Sequence, residues 1–315
     1  MKIVVITVDK KVIKLQHIKK AVLTQSADAA CDSLSVEFVM KSLPGEIERV
    51  EAYKDEKLIF NGYCDCQRAT ADKNGIELYI YARSSACVLV DNQAQAYTYN
   101  RPSALSLYTI YAKPYGFKCS LPDICSYRKY EVSASSSLFG ALNNFVSMIS
   151  TYKIRVNTNN EIVLLKPSDN TVKLDNNKIV SAKSVINRSE PISAVHYKKD
   201  VSLKYDCHTL SKSAAANGFF RQRYVNLASY APWQRNYKIS NMFKDSFKNY
   251  KNVELTVLGY VEEELYQRFN IRCEIGNFDD YLLSEKIYYY DSNGEKTKLI
   301  LSKNIDIKEV NYVDK

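Results

Sequence analysis

The chain has 315 residues, of which 46% are hydrophobic, 25% charged and 12% aromatic, which excludes a disordered or fibrous polypeptide. At roughly 100–200 residues per domain, that length suggests two or three folding units. The formal charge is +9, and the longest apolar runs, residues 3–6 and 87–90, are far too short for a bilayer span or a secretory signal, so neither membrane insertion nor classical secretion is expected.

Short strands are predicted over residues 2–8, 12–15, 17–24, 33–40, 48–53, 57–61, 63–70 and 75–82. Alternation is clearest where Leu34, Val36 and Phe38 share a face, and turn signals separate the runs at Pro44-Gly45, Lys54-Asp55-Glu56 and Lys73-Asn74-Gly75. Even, short spacing without intervening helices points to an antiparallel barrel or sandwich and not to a doubly wound sheet. One or two helical turns are expected within 83–90 and a helix over 102–112, stopped by Pro114-Tyr115-Gly116.

The clearest helix spans 137–151, where Leu138, Leu142, Phe145 and Ile149 recur at helical spacing behind a serine cap. A hairpin of 152–156 and 161–166 follows across Asn157–Asn160, so residues 93–178 read as an α+β unit. Strands then resume at 179–186, 192–197, 203–207, 218–225, 253–260, 269–275, 281–290 and 296–302, interrupted by a polar helix near 238–248. Asp291-Ser292-Asn293-Gly294 closes a final hairpin. The expected fold class is mainly β with an α+β insertion, and the expected division is 1–92, a first barrel; 93–178, an α+β domain; and 179–315, a second barrel carrying the helix near 238–248.

No chemistry stands out. Nine glycines form no phosphate-cradling pattern. Eight cysteines without an export signal read as reduced, half-buried thiols; Cys64-Asp65-Cys66 is read as two thiols on opposite faces, not zinc ligands, and Cys119 and Cys125 lack partners to complete a site. His17, His196 and His208 are read as structural histidines, with Cys207 and His208 pointing apart, and Glu262-Glu263-Glu264 as a solvated acidic turn. Residues 178–251 hold 14 basic and 4 acidic side chains, a net of +10, whereas 252–315 hold 8 and 13, a net of −5. With only 12 arginines and no basic run longer than Lys198-Lys199 in the basic segment, specific nucleic-acid binding is not expected; the opposed segments suit surfaces that meet each other or a partner. The 25 tyrosines fit extensive protein contact.

Within residues 48–92, Val50-Glu51-Ala52-Tyr53, Leu58-Ile59-Phe60-Asn61-Gly62-Tyr63, the turn at Asn74-Gly75, and Ala82-Arg83-Ser84-Ser85 running into Cys87-Val88-Leu89-Val90-Asp91 resemble the central baseplate hub proteins of contractile phage tails. That family, Mu-type and late-control-protein-D-like, also occurs in phage-tail-like bacteriocins; in it a strand ending in a Phe-x-Gly turn leads to a long strand, an Ala-Arg step and a short helix. Leu105-Ser106-Leu107-Tyr108 with Pro114-Tyr115-Gly116 is similar to the family's helix and stop, and Tyr281–Ile287 with Thr297–Leu301 to its closing hairpin. The resemblance covers about two-thirds of the chain and does not extend through 199–260. It implies two tube-like antiparallel β-barrel domains plus a small helix-containing domain, and a homotrimer in which three chains imitate a six-fold ring. One face of that ring would receive the tail tube protein and the other the central spike protein, with other baseplate proteins and the tape-measure protein as neighbours. The implied place is the baseplate of a virion tail or tail-like particle, assembled in the host bacterial cytoplasm. On this reading the chain is not an enzyme and has no catalytic, cofactor-binding or metal residues. The alternative, a tail-associated cell-wall hydrolase or protease, requires groups converging around His196, Cys207 and His208.

Overall fold

A computed structural model of the protein describes residues 1–73, 75–200, 204–230, 232–303 and 310–314. The chain opens with β1 (Lys2–Thr7), β2 (Val12–Lys14), β3 (Ile18–Ser26), β4 (Ser33–Met40), β5 (Ile47–Lys54), β6 (Lys57–Asp72) and β7 (Gly75–Ser84). Their inward residues, among them Ile3, Val5, Leu23, Leu34, Val36, Phe38, Val50, Phe60, Leu78 and Ile80, form one buried cluster, as period-two alternation requires. The expected break between strands at Phe60-Asn61-Gly62 is absent: β6 runs straight through it for 16 residues. Gly62 is demanded by a close approach, because a Cβ there would lie 2.0 Å from the Arg83 carbonyl oxygen of β7. The expected turn residue Asn74 lies outside the described residues.

After α1 (Cys87–Asp91) comes a second cluster built from β8 (Tyr97–Asn100), α2 (Ala104–Tyr111), β9 (Lys118–Cys119), β10 (Lys129–Val132), α3 (Leu138–Ser150), β11 (Lys153–Val156) and β12 (Glu161–Leu165). α3 matches its periodicity: Leu138, Ala141, Leu142, Phe145 and Val146 are buried, and the Ser137 hydroxyl accepts from Gly140 N at 2.9 Å to cap it. Tyr130 crosses Phe145 edge-on at 5.1 Å and donates from its hydroxyl to Ala141 O at 2.6 Å, so its ring is buried without an orphaned oxygen. The sequence reading passed over β8, β9 and β10, each four residues or fewer.

The remainder comprises β13 (Thr171–Asp175), β14 (Ile179–Ile186), β15 (Ile192–Lys198), β16 (Cys207–Ser211), α4 (Lys212–Ala216), β17 (Arg221–Asn226), α5 (Pro232–Phe247), β18 (Lys251–Leu258), β19 (Arg268–Cys273), β20 (Gly276–Asp291), β21 (Gly294–Lys303) and β22 (Val310–Asp314). The interruption expected as one helix near 238–248 is larger. α5 starts at Pro232 and belongs to an insert whose strands β15, β16 and β17 join β22 in a separate four-stranded sheet, β17-β15-β16-β22, over a core of Ile192, Val195, Tyr197, Cys207, Leu227, Ile239 and Phe243. The strand expected at 203–207 begins only at Cys207; residue 203 lies outside the described residues. β15 sets this start by pairing His196 with His208 and Tyr197 with Cys207.

The fold is mainly β, as expected, and one 13-stranded sheet dominates it, in the order β14-β18-β21-β20-β3-β4-β7-β6-β5-β1-β2, with β19 beside β20 and β13 beside β19. Not every pair is antiparallel: β13 runs parallel to β19, β15 to β17 and β9 to β12. The sheet serves two cores, the first around β1–β7 and another containing Val253, Leu255, Phe269, Ile271, Leu283, Leu299 and Leu301.

Candidate functional site

Both cores meet on β20. Its first half pairs with β19, its second half pairs with β3 from Glu285↔Ser26 to Asp291↔Lys20, and β21 pairs along most of its length. A bulge between Leu283 and Glu285 reverses the inward phase: Tyr281 and Leu283 are buried before it, Lys286 and Tyr288 after it. Leu283 thereby packs in the second core and Tyr288 in the first, so a single strand ties the two β-units at a fixed register. The hairpin tip closes over the first unit, where Glu295 of β21 takes an ion pair from Lys54 at 2.8 Å.

The same reversal drives a lysine inside. Lys286 is 4% exposed; its Nζ donates to Val261 O at 3.1 Å and Glu263 O at 3.0 Å and lies 5.0 Å from the Tyr260 ring centroid. Burial pushes its ammonium down to about 8, with Asp32 pulling the other way.

The loop between β3 and β4 locks the remaining parts to this seam. Asp32, buried, accepts from Arg155 Nη2 of β11 at 2.7 Å on each oxygen and from Gln25 Nε2 at 3.0 Å. Its backbone exchanges bonds with Ser84: Ser84 N donates to Asp32 O at 2.8 Å, and Asp32 N to Ser84 Oγ at 3.0 Å. Asp28 accepts from Lys153 at 3.2 Å and from Lys248, just beyond α5, so one carboxylate joins the helical unit and the insert to the first β-unit. A cavity of about 620 Å³ opens beside it, lined by Asp28, Lys153, Tyr237, Lys248, Tyr266 and Ser284 among others. None of these groups carried a sequence signal, since each partner comes from a distant segment.

The main sheet has outer strands at β2, β14 and, on the branch through β19, β13; no described strand covers the outer backbone groups of β2 and β14. Two of these edges carry exposed apolar side chains: Val12 on β2, and Val180 and Ile186 on β14.

Of the residues weighed for chemistry, the structure brings two together. His196 and His208 are a cross-strand pair with their Nδ1 atoms 2.7 Å apart, while Cys207 faces the insert's core and His17 is exposed at the start of β3. Cys64 and Cys66 do face opposite ways, but for a reason the sequence reading missed. In a regular strand, positions two apart share a face; here a bulge at Asp65 sets Cys64 opposite buried Ala82 and Cys66 opposite Tyr81. All eight cysteines are free, and burial raises the Cys31 thiol to about 12 and those of Cys64 and Cys87 to about 11, which keeps them protonated and unreactive. Glu262 pairs with Lys57 at 3.1 Å, and the Glu263 carbonyl receives Lys286. No helix among the described residues is long and apolar enough to cross a membrane.

No protein-family model matches the chain, and no curated protein is similar in sequence. Solved structures are similar in fold. The 43 kDa tail protein of prophage MuSo2 from Shewanella oneidensis superposes with a TM-score of 0.80 at 15% identity, covering 96% of this chain and 98% of that one. A tail protein from Neisseria meningitidis MC58 gives 0.75 at 15% identity, covering 96% of each. An Escherichia coli component of the type VI secretion system, described as structurally similar to the bacteriophage T4 tail proteins gp27 and gp5, gives 0.54 at 5% identity over 92% of this chain and 74% of its own. The fold is that of these tail proteins.

Proposed function

We propose that the chain is a structural subunit of a phage tail or tail-like particle and, within it, the baseplate hub: a homotrimer that adapts a six-fold tail tube to a three-fold central spike. The observation that carries this reading is the end-to-end correspondence with tail protein structures, in which both β-units and the helical unit take part. The seam on β20 supplies the mechanism. Because the two β-units share one hydrogen-bonded sheet, each subunit presents them at a fixed spacing, and three subunits present six such units. The open edges at β14 and β2 lie one in each β-unit, so the β14 edge of one copy meeting the β2 edge of the next is a head-to-tail contact that a three-fold axis closes. Domains on this reading are 1–92, 93–178 and 179–315, the last carrying the 192–247 insert. Tube, spike, tape-measure and other baseplate proteins are the partners, and the tail baseplate, assembled in the host cytoplasm, is the location.

Co-sedimentation with assembled tail tube and spike from the same source tests this. The wild-type protein is expected to pellet with tube and spike together, and a Val180→Lys, Ile186→Lys double variant to remain in the supernatant while keeping its circular dichroism. Wild-type protein that ignores both partners overturns the reading.

A further inference from the structure

The outer face of the insert's sheet holds an arrangement that a structural role for the chain does not use. His196 Nε2 donates to Gln222 Oε1 at 2.9 Å, which leaves Nδ1 of the same ring as a bare lone pair facing His208 Nδ1 at 2.7 Å. The Tyr224 ring stacks on His196 with centroids 4.6 Å apart and planes 18° from parallel, so the plane and the tautomer of that imidazole are both set before anything binds. An imidazole whose remote N–H is held by a carbonyl oxygen is the arrangement found around metal-ligating histidines. Both rings are partly open to solvent.

We propose that His196 and His208 form a two-histidine site for a divalent transition metal that takes cis ligands near 90°, Ni²⁺ or Cu²⁺. With metal–nitrogen bonds of about 2.0–2.1 Å, nitrogens as close as these subtend roughly 80–85° at the ion, near the cis angle of an octahedral or square-planar centre; a tetrahedral Zn²⁺ needs them about 3.3 Å apart. On binding, the His208 proton now lying between the rings moves to its own Nε2 through solvent, the His208 ring turns about its Cβ–Cγ bond while His196 keeps its plane, and both Nδ1 lone pairs go to the metal with no net release of protons. Among the described residues no group of three or more His, Cys, Asp or Glu converges, so the protein supplies two ligands and water the rest.

The test uses untagged, full-length protein and Ni²⁺, which spares the free thiols the oxidation that Cu²⁺ causes. Calorimetric titration is expected to show one Ni²⁺ per chain, weakened at least about tenfold by His196→Gln or His208→Gln and less by Gln222→Ala. Independently of any variant, Ni²⁺ is expected to protect His196 and His208 from diethylpyrocarbonate while exposed His17 reacts as before. Unchanged binding in both histidine variants, no binding at millimolar Ni²⁺, or equal modification of all three histidines would overturn the proposal.

Discussion

The first β-unit and the insert of residues 192–247 are both sheets with a buried apolar face, yet they are attached differently. The first unit continues through β3 and β20 into the second, so its strands belong to one hydrogen-bonded sheet with two cores. The insert shares no strand with that sheet among the described residues; its small core sits beneath α5, and Lys248 reaches Asp28 across the junction. Continuity of the sheet should make the first unit unfold with the whole molecule, while the insert should open alone.

The sharpest way to break this comparison is to remove one fully buried ring from each region. Phe60→Ala is expected to cost about 3–5 kcal/mol of global stability by denaturant unfolding, whereas Phe243→Ala should leave that transition nearly in place. Its effect should appear as lost hydrogen-exchange protection confined to β15, β16 and β17. Equal global losses would contradict the distinction. Next in size is Asp32→Ala, which strands Arg155 at the junction with the helical unit; about 3 kcal/mol should be lost, and Arg155→Met should cost less because the remaining carboxylate keeps Gln25.

Lys286 gives a pH signature of the seam. Its folded value of about 8 lies below the ordinary 10.5, so between those values the unfolded chain binds more protons and stability rises with pH, by at most about 3 kcal/mol. Above pH 10 the gain should be opposed by buried tyrosines such as Tyr260, whose phenol burial raises to about 12 and which must stay protonated in the folded state. The buried thiols of Cys31, Cys64 and Cys87 pull stability down with pH in any variant, so from pH 7.5 to 10 the wild type should gain stability relative to Lys286→Met; parallel profiles in both would remove Lys286 from the account. The smallest effect belongs to the helical unit: Ser137→Ala should cost about 1 kcal/mol through the lost cap of α3.

What could be read from the sequence follows the same divide. Where burial is periodic, as in Leu34, Val36 and Phe38 or along α3, the side-chain pattern alone locates the element. Gly62 misled because a glycine forced by a neighbouring carbonyl looks the same in sequence as one that makes a turn. The bulges at Asp65 and Ser284 leave no local mark, yet they decide which way Cys66, Lys286 and Tyr288 face. The junction was not legible because Asp32 and Arg155 are 123 positions apart and only the fold makes them partners. His196 and His208 failed for the same reason: neighbours in sequence could be judged, but the register of β15 on β16 could not.

The most direct measurement of the central claim is the mass, by light scattering, of the protein co-expressed with the spike protein from its own source. A species holding three copies of the 36.1 kDa chain with a spike trimer is predicted. A protein that stays at 36.1 kDa both alone and with the spike would contradict the hub assignment.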